Sequence, residues 1–230
     1  MLQNRWSLTY LLFLLSLLIF FLIVSIFFLE GIQFSFLNIG LTGGIGCGKS
    51  TVLDFFRAQG IPCLSADAVV HSLLAEDSSV IDRVVEHFGV AILDADSRID
   101  RSKLAECVFR QPSSLEWLES LLHPRVQQEW KAFIAVERSG LACVEIPLLF
   151  EKRLEKHFDL IVSIVCSDST ANDRLLNKGL RKSDILLRRR QQLPITVKVE
   201  RSDYVLSNEG TLEFLHQQLI ILISKLEKKT

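Results

Sequence analysis

The run Gly43-Gly44-Ile45-Gly46-Cys47-Gly48-Lys49-Ser50 limits what this 230-residue chain can fold into more than any other feature. It matches GxxxxGK[ST] in full at Gly43, Gly48, Lys49 and Ser50. An apolar run, Leu37 to Thr42, precedes it. An amphipathic run, Gly48 to Gln59, follows, with Val52, Leu53, Phe55 and Phe56 on one side and Gly60 placed to end the helix. Strand, glycine loop and helix in that order form a phosphate cradle. Gly43, Gly44, Gly46 and Gly48 let the backbone turn tightly and aim its N–H groups at an anion. The helix starting near Lys49 adds its positive end. Lys49 places a compact charge on the β- and γ-phosphates, and the Ser50 hydroxyl can ligate Mg²⁺. The loop identifies a nucleotide holder but does not name a reaction.

From Leu37 onward the chain alternates strand and helix. Ile61 to Ser65, Leu141 to Ile146, Leu160 to Cys166 and Val205 to Ser207 read as four further strands. The third and fourth are continuous apolar runs, as parallel strands covered on both faces require. Residues 68 to about 137 read as helical, with breaks near Gly89-Val90, Gln111-Pro112 and His123-Pro124. Leu212 to Leu226 reads as a closing amphipathic helix. This alternation predicts an α/β fold with a five-stranded parallel sheet flanked by helices, a P-loop NTPase fold whose ligands lie at the carboxyl ends of the strands.

Several function classes fall away. A GTPase needs a base-reading Asn-Lys-x-Asp, but Asn177-Lys178 is followed by Gly179-Leu180. Transport and motor ATPases end a strand in aspartate, whereas the third strand here offers Glu145. The net charge of −1 gives no electrostatic case for nucleic acid. The five cysteines (Cys47, Cys63, Cys107, Cys143 and Cys166) lie far apart, which predicts buried free thiols and neither a zinc site nor a disulfide frame. A small-molecule kinase remains, needing a base near the acceptor hydroxyl and cations over the transferring phosphoryl group.

Asp67 is the best base candidate because it directly follows the second strand. There it could take the acceptor's proton or hold Mg²⁺ through water, or instead cap a helix starting at Ala68. The stretch 174 to 201 carries nine Lys and Arg residues between strands four and five. Most should form a solvated face, but a lid with transition-state arginines belongs there.

Ahead of the domain, Leu8 to Leu29 is an uncharged run of 22 residues, long enough to cross a bilayer. Arg5 before it and Glu30 after it would send the remainder outside the cell, away from ATP. Two readings of residues 1–36 stay open: a membrane anchor, or a start assigned upstream of a domain that begins near Leu37.

Motifs along residues 37–230 resemble those of the dephospho-CoA kinases. They are Ile39 to Thr51, Ser65-Ala66-Asp67, Leu121-Leu122-His123-Pro124, Ile146-Pro147-Leu148-Leu149-Phe150-Glu151, Gln192-Leu193-Pro194 with Lys198, and Asn208-Glu209-Gly210. The resemblance implies ATP- and Mg²⁺-dependent phosphorylation of the ribose 3′-hydroxyl of dephospho-CoA. It implies that Asp67 is the base and that Lys49, Arg174 and Arg188 act on the phosphoryl group. Gly43, Gly44, Ile45, Gly46, Cys47, Gly48, Lys49, Ser50 and Thr51 would hold the nucleotide, with Asn208 and Gly210 near its adenine end. Ser50 and Asp67 would serve the metal, residues 68–137 would form a substrate lobe, and 174–201 a lid. Cys47 stands where the family usually has Ser, a small-for-small change that should keep the cradle. A nucleoside or nucleotide kinase, or a tethered nucleotide-binding protein without catalysis, are the competing readings. No protein partner or nucleic acid is expected, and a membrane only if 8–29 is an anchor.

Overall fold

The computed structural model describes residues 36–136 and 140–228. The apolar run 8–29 lies outside the described residues. Among those described, no helix is long and apolar enough to cross a membrane.

Five strands form one sheet: β1 (Leu37–Gly43), β2 (Cys63–Ser65), β3 (Leu141–Glu145), β4 (Leu160–Val165) and β5 (Tyr204–Ser207). Their order is β2-β3-β1-β4-β5, and every pairing is parallel. The glycine loop therefore leaves the central strand. Crossing from one strand to the next are α1 (Lys49–Ala58), α2 (Ala66–Glu76), α3 (Ser78–Phe88), α4 (Arg101–Arg110) and α5 (Pro112–Val136), then α6 (Asp168–Asn177), α7 (Lys182–Arg190) and α8 (Ile195–Glu200), while α9 (Leu212–Glu227) follows β5.

Alternation along each strand divides the core. Ile39, Leu41, Cys143, Val162 and Ile164 pack with Val52 and Phe56 of α1 and with Leu215, Leu219 and Leu222 of α9. Val144, Ile161 and Ile146 point the other way, onto Trp130, Val126, Leu149 and Phe150. Leu74, Val80, Val84, Ile92, Leu104 and Leu122 build a separate cluster among α2 to α5.

One expected break is absent. The chain does not stop at His123-Pro124, because α5 runs through Pro124 to Val136. A proline inside a helix loses a hydrogen bond and crowds the preceding turn. Here Leu121, Leu122, Val126 and Trp130 are all buried along that helix, tying it into two core clusters at once. Packing on both sides of Pro124 outweighs the local penalty. The five thiols are free, with Cys47 and Cys143 buried.

Candidate active site

The carboxyl ends of β1, β2 and β3 open into a cleft of about 1230 Å³. Its floor is the loop between β1 and α1. Two glycines there are dictated by geometry. Gly43 has φ 144°, and a Cβ on it would stand 2.3 Å from the Ile164 carbonyl oxygen. Gly48, at φ 95°, begins α1, and a Cβ there would meet Asn208 Nδ2 at 2.2 Å. No side chain caps α1 at Gly48, and Gly48, Lys49, Ser50 and Thr51 at the start of that helix line the cleft. Lys49 Nζ donates to the carbonyls of Gly43 (3.4 Å) and Gly44 (3.2 Å), which arches its charge over the loop.

Asp67 lies in the first turn of α2 and is exposed to the cleft. The helix starts at Ala66, and its cap is Ser65, whose Oγ accepts from the Ala68 amide at 3.4 Å. Asp67 is thus relieved of the capping role that its position in the sequence allowed. Ser65 Oγ also donates to Glu145 Oε2 at 2.6 Å. Glu145 is a buried carboxylate at the end of β3 that lines the same cleft. Burial pushes its carboxyl above the usual carboxylate range, while the Ser65 hydroxyl and the Lys49 charge pull it back.

The loop is braced from behind. Asn208 is buried and donates through Nδ2 to the Cys47 carbonyl at 2.8 Å. Arg174 Nη2 donates to the Asn208 carbonyl at 3.0 Å, whereas Arg174 Nη1 is buried with no partner. An unpartnered buried guanidinium nitrogen beside a phosphate loop is a donor in want of an anion. Glu209 accepts from the backbone and hydroxyl of Ser167 and from Thr170 Oγ1 (2.8 Å), fastening the start of α6. The Cys47 thiol lies 3.0 Å from that of Cys166, inside the loop's back wall.

Arg174 and Arg188 both border the cleft. Arg189 is held by Asn172 (3.0 Å) and Asp168 (3.5 Å), while Arg188 is exposed and free of ion pairs among the described residues. Ser50, Thr51 and Gly210 also line the cleft, and the Ser50 side chain is exposed. On the far side stand His71, His123, Val126, Gln127, Trp130 and Lys152, contributed by the helical lobe and by the segment after β3. Burial, then Lys152, holds His123 below the ordinary histidine range.

Glu145 and Gln192 were not among the site residues expected from sequence. Glu145 had a usable signal, since it ends the strand paired directly with β1. Gln192, in the Gln-Leu-Pro motif, accepts from the Ile45 amide at 3.0 Å. That contact joins residues 147 positions apart and leaves no local trace.

Known proteins resemble the chain over this whole region. The dephospho-CoA kinase family profile matches residues 37–213. A dephospho-CoA kinase of Aquifex aeolicus is 36% identical over 183 residues, which is 79% of this chain and 93% of that protein. One from Synechococcus is 38% identical over 189 residues, 81% of this chain and 95% of that protein. The crystal structure of TT1252 from Thermus thermophilus superposes with a TM-score of 0.69 at 32% identity, covering 83% of this chain and 98% of that one. The dephospho-CoA kinase from Campylobacter jejuni shares the fold, with a TM-score of 0.63 at 23% identity over 84% of this chain and 98% of its own.

Proposed function

Since the chain belongs to the dephospho-CoA kinase family, we propose a division of labour within its cleft for the transfer of a phosphoryl group to dephospho-CoA. The activity is the ATP-dependent phosphorylation of the ribose 3′-hydroxyl of dephospho-CoA, the last step of coenzyme A biosynthesis. In this reading Asp67 accepts the acceptor's proton, Lys49 and the loop amides hold the donor phosphates, and Arg174 and Arg188 face the charge that develops during transfer.

The observation that carries it is the shared opening of Asp67, Lys49, Arg174 and Arg188 onto one cleft at the strand ends. A base and three cations converging from four separate elements suit an in-line transfer that depends on position and electrostatics rather than on covalent chemistry. The unpaired Nη1 of Arg174 adds weight, because a phosphate oxygen would satisfy it. On the side where the acceptor would sit, the cleft is lined by His123 and Gln127 together with the buried apolar side chains of Val126 and Trp130.

Mg²⁺ fits the donor set. Ser50 brings a hydroxyl and Asp67 and Glu145 bring carboxylates, all hard oxygen donors on the cleft. No cluster of three His, Cys, Asp or Glu side chains exists among the described residues, which suits an ion completed by water and phosphate oxygens. When bound, the ion would neutralise charge on the donor phosphates. Such chemistry belongs in the cytoplasm, where ATP is supplied.

Asp67→Asn tests the assignment. With Asp67 as base, turnover falls by roughly 10²–10⁴-fold. ADP affinity, read by calorimetry without Mg²⁺, stays as in the parent. Turnover within a few-fold of the parent would remove Asp67 from the mechanism.

A further inference from the structure

The strongest unassigned relationship joins the lid to the phosphate loop. The last turn of α7 continues past Arg190 through bonds from the Gln191 amide to the Arg188 carbonyl (3.3 Å) and from the Gln192 amide to the Arg189 carbonyl (3.1 Å). Gln192 therefore sits about one helical turn beyond Arg188, and both line the cleft. The Gln192 side chain does not point to solvent. Its Oε1 takes the Ile45 amide of the loop at 3.0 Å.

The neighbouring backbone is pinned as well. The Leu193 amide donates to Glu151 Oε1 at 2.7 Å, and Glu151 pairs with buried Lys198 at 2.9 Å. Lys198 Nζ in turn donates to the Pro147 carbonyl, which also accepts from Thr42 Oγ1 of β1. Ile195 approaches the loop at Gly44, where a Cβ would lie 3.8 Å from its Cδ1. The C-terminal root of the lid is thus fixed to the segments after β1 and after β3. Toward its other end Leu186 and Leu187 are exposed, and Arg181 pairs with Asp184 three residues on.

We propose that Gln192 is a positioning residue: through the Ile45 amide it sets Arg188 in register with the phosphate loop. This rests on the reading of Arg188 as a residue facing the transferring phosphoryl group. The loop that grips the donor then also fixes the cation that must meet the developing charge. Without the bond, α7 keeps its root on Glu151 but loses the side-chain tie from Gln192 to the loop. Arg188 would then sample positions beside the reacting group, and a misplacement of about 1 Å can cost about 10²-fold in rate.

Three variants decide it: Gln192→Met, which keeps volume but removes the acceptor, Arg188→Ala, and the two combined. Steady-state rates are measured with ATP and dephospho-CoA each varied. The expected result is a fall of roughly 10–100-fold in kcat for Gln192→Met, with the KM for ATP within about threefold of the parent. Arg188→Ala also slows turnover, and the double variant is no slower than Arg188→Ala alone, because Gln192 acts only through that arginine. Multiplicative losses in the double variant, with Arg188→Ala itself impaired, overturn the inference while leaving Arg188 in place. So does a lowered KM for ATP in Gln192→Met, which would mean that the carboxamide competes with phosphate for the Ile45 amide. Full activity in Arg188→Ala sinks the reading of Arg188 and the inference together.

Discussion

Lys198 Nζ lies 2.9 Å from Glu151 Oε1, with the lysine side chain wholly buried and the glutamate one-tenth exposed. Burial pulls the lysine below its ordinary range, and the Glu151 carboxylate pushes it back up. The pair joins α8, which carries Lys198, to the segment that follows β3, which carries Glu151. An ion pair in such a place contributes little net stability, yet breaking it leaves a buried charge alone.

Lys198→Met should therefore destabilise the fold by about 3–5 kcal/mol in denaturant titration. Replacing both partners, Lys198→Met with Glu151→Leu, should recover much of that loss, since no uncompensated charge remains. A single variant costing less than about 1 kcal/mol would show that the pair is hydrated rather than buried.

Glu145 gives a pH signature. Its folded carboxyl titrates above the usual carboxylate range because of burial. A raised value means that the native state holds the proton more tightly. The associated stability is then present at acid pH and lost as pH rises through the folded value. Glu145→Gln, which keeps an acceptor for Ser65, should raise the melting temperature at pH 7.5, with the gain shrinking toward pH 4. A gain equal at both pH values would contradict the account.

Gly48→Ala should abolish nucleotide binding. The substitution strains a backbone at φ 95° and drives a methyl into Asn208 Nδ2, whose bond to the Cys47 carbonyl braces the loop. Calorimetry with ADP reads this directly. Retained affinity would mean that the brace is dispensable.

Thiol chemistry distinguishes the loop cysteines from an activated site. Burial, with the Cys47 contact, pushes the Cys166 thiol up to about 12. The thiolate is the reactive form, so Cys166 should resist iodoacetamide at pH 7.5 in the native protein and react once unfolded. Peptide mass mapping shows which residue is modified; rapid native labelling of Cys166 would refute the contact with Cys47.

Local chemistry made much of this site legible in advance. The phosphate loop, the alternating elements and the placement of Asp67 at a strand end follow from residue type and spacing within a dozen positions. The apolar β3 and β4 announced a buried parallel sheet, and the structure places both beside β1. What sequence left open depends on distant contacts. Ser65 takes the cap of α2 while its hydroxyl donates to Glu145, 80 residues away, which fixes its rotamer. Pro124 reads as a helix break until Val126 and Trp130 are seen packed beyond it. The tie from Gln192 to Ile45 is invisible without the fold, as is the meeting of Cys47 with Cys166 across 119 positions.

The central claim is tested most directly by incubating the purified protein with ATP, Mg²⁺ and dephospho-CoA and identifying the products by mass spectrometry and phosphorus NMR. The account predicts ADP together with coenzyme A bearing a new 3′-phosphomonoester, formed by the parent and not by Asp67→Asn. Absence of turnover on dephospho-CoA, with phosphorylation of another nucleoside or nucleotide under the same conditions, would contradict it.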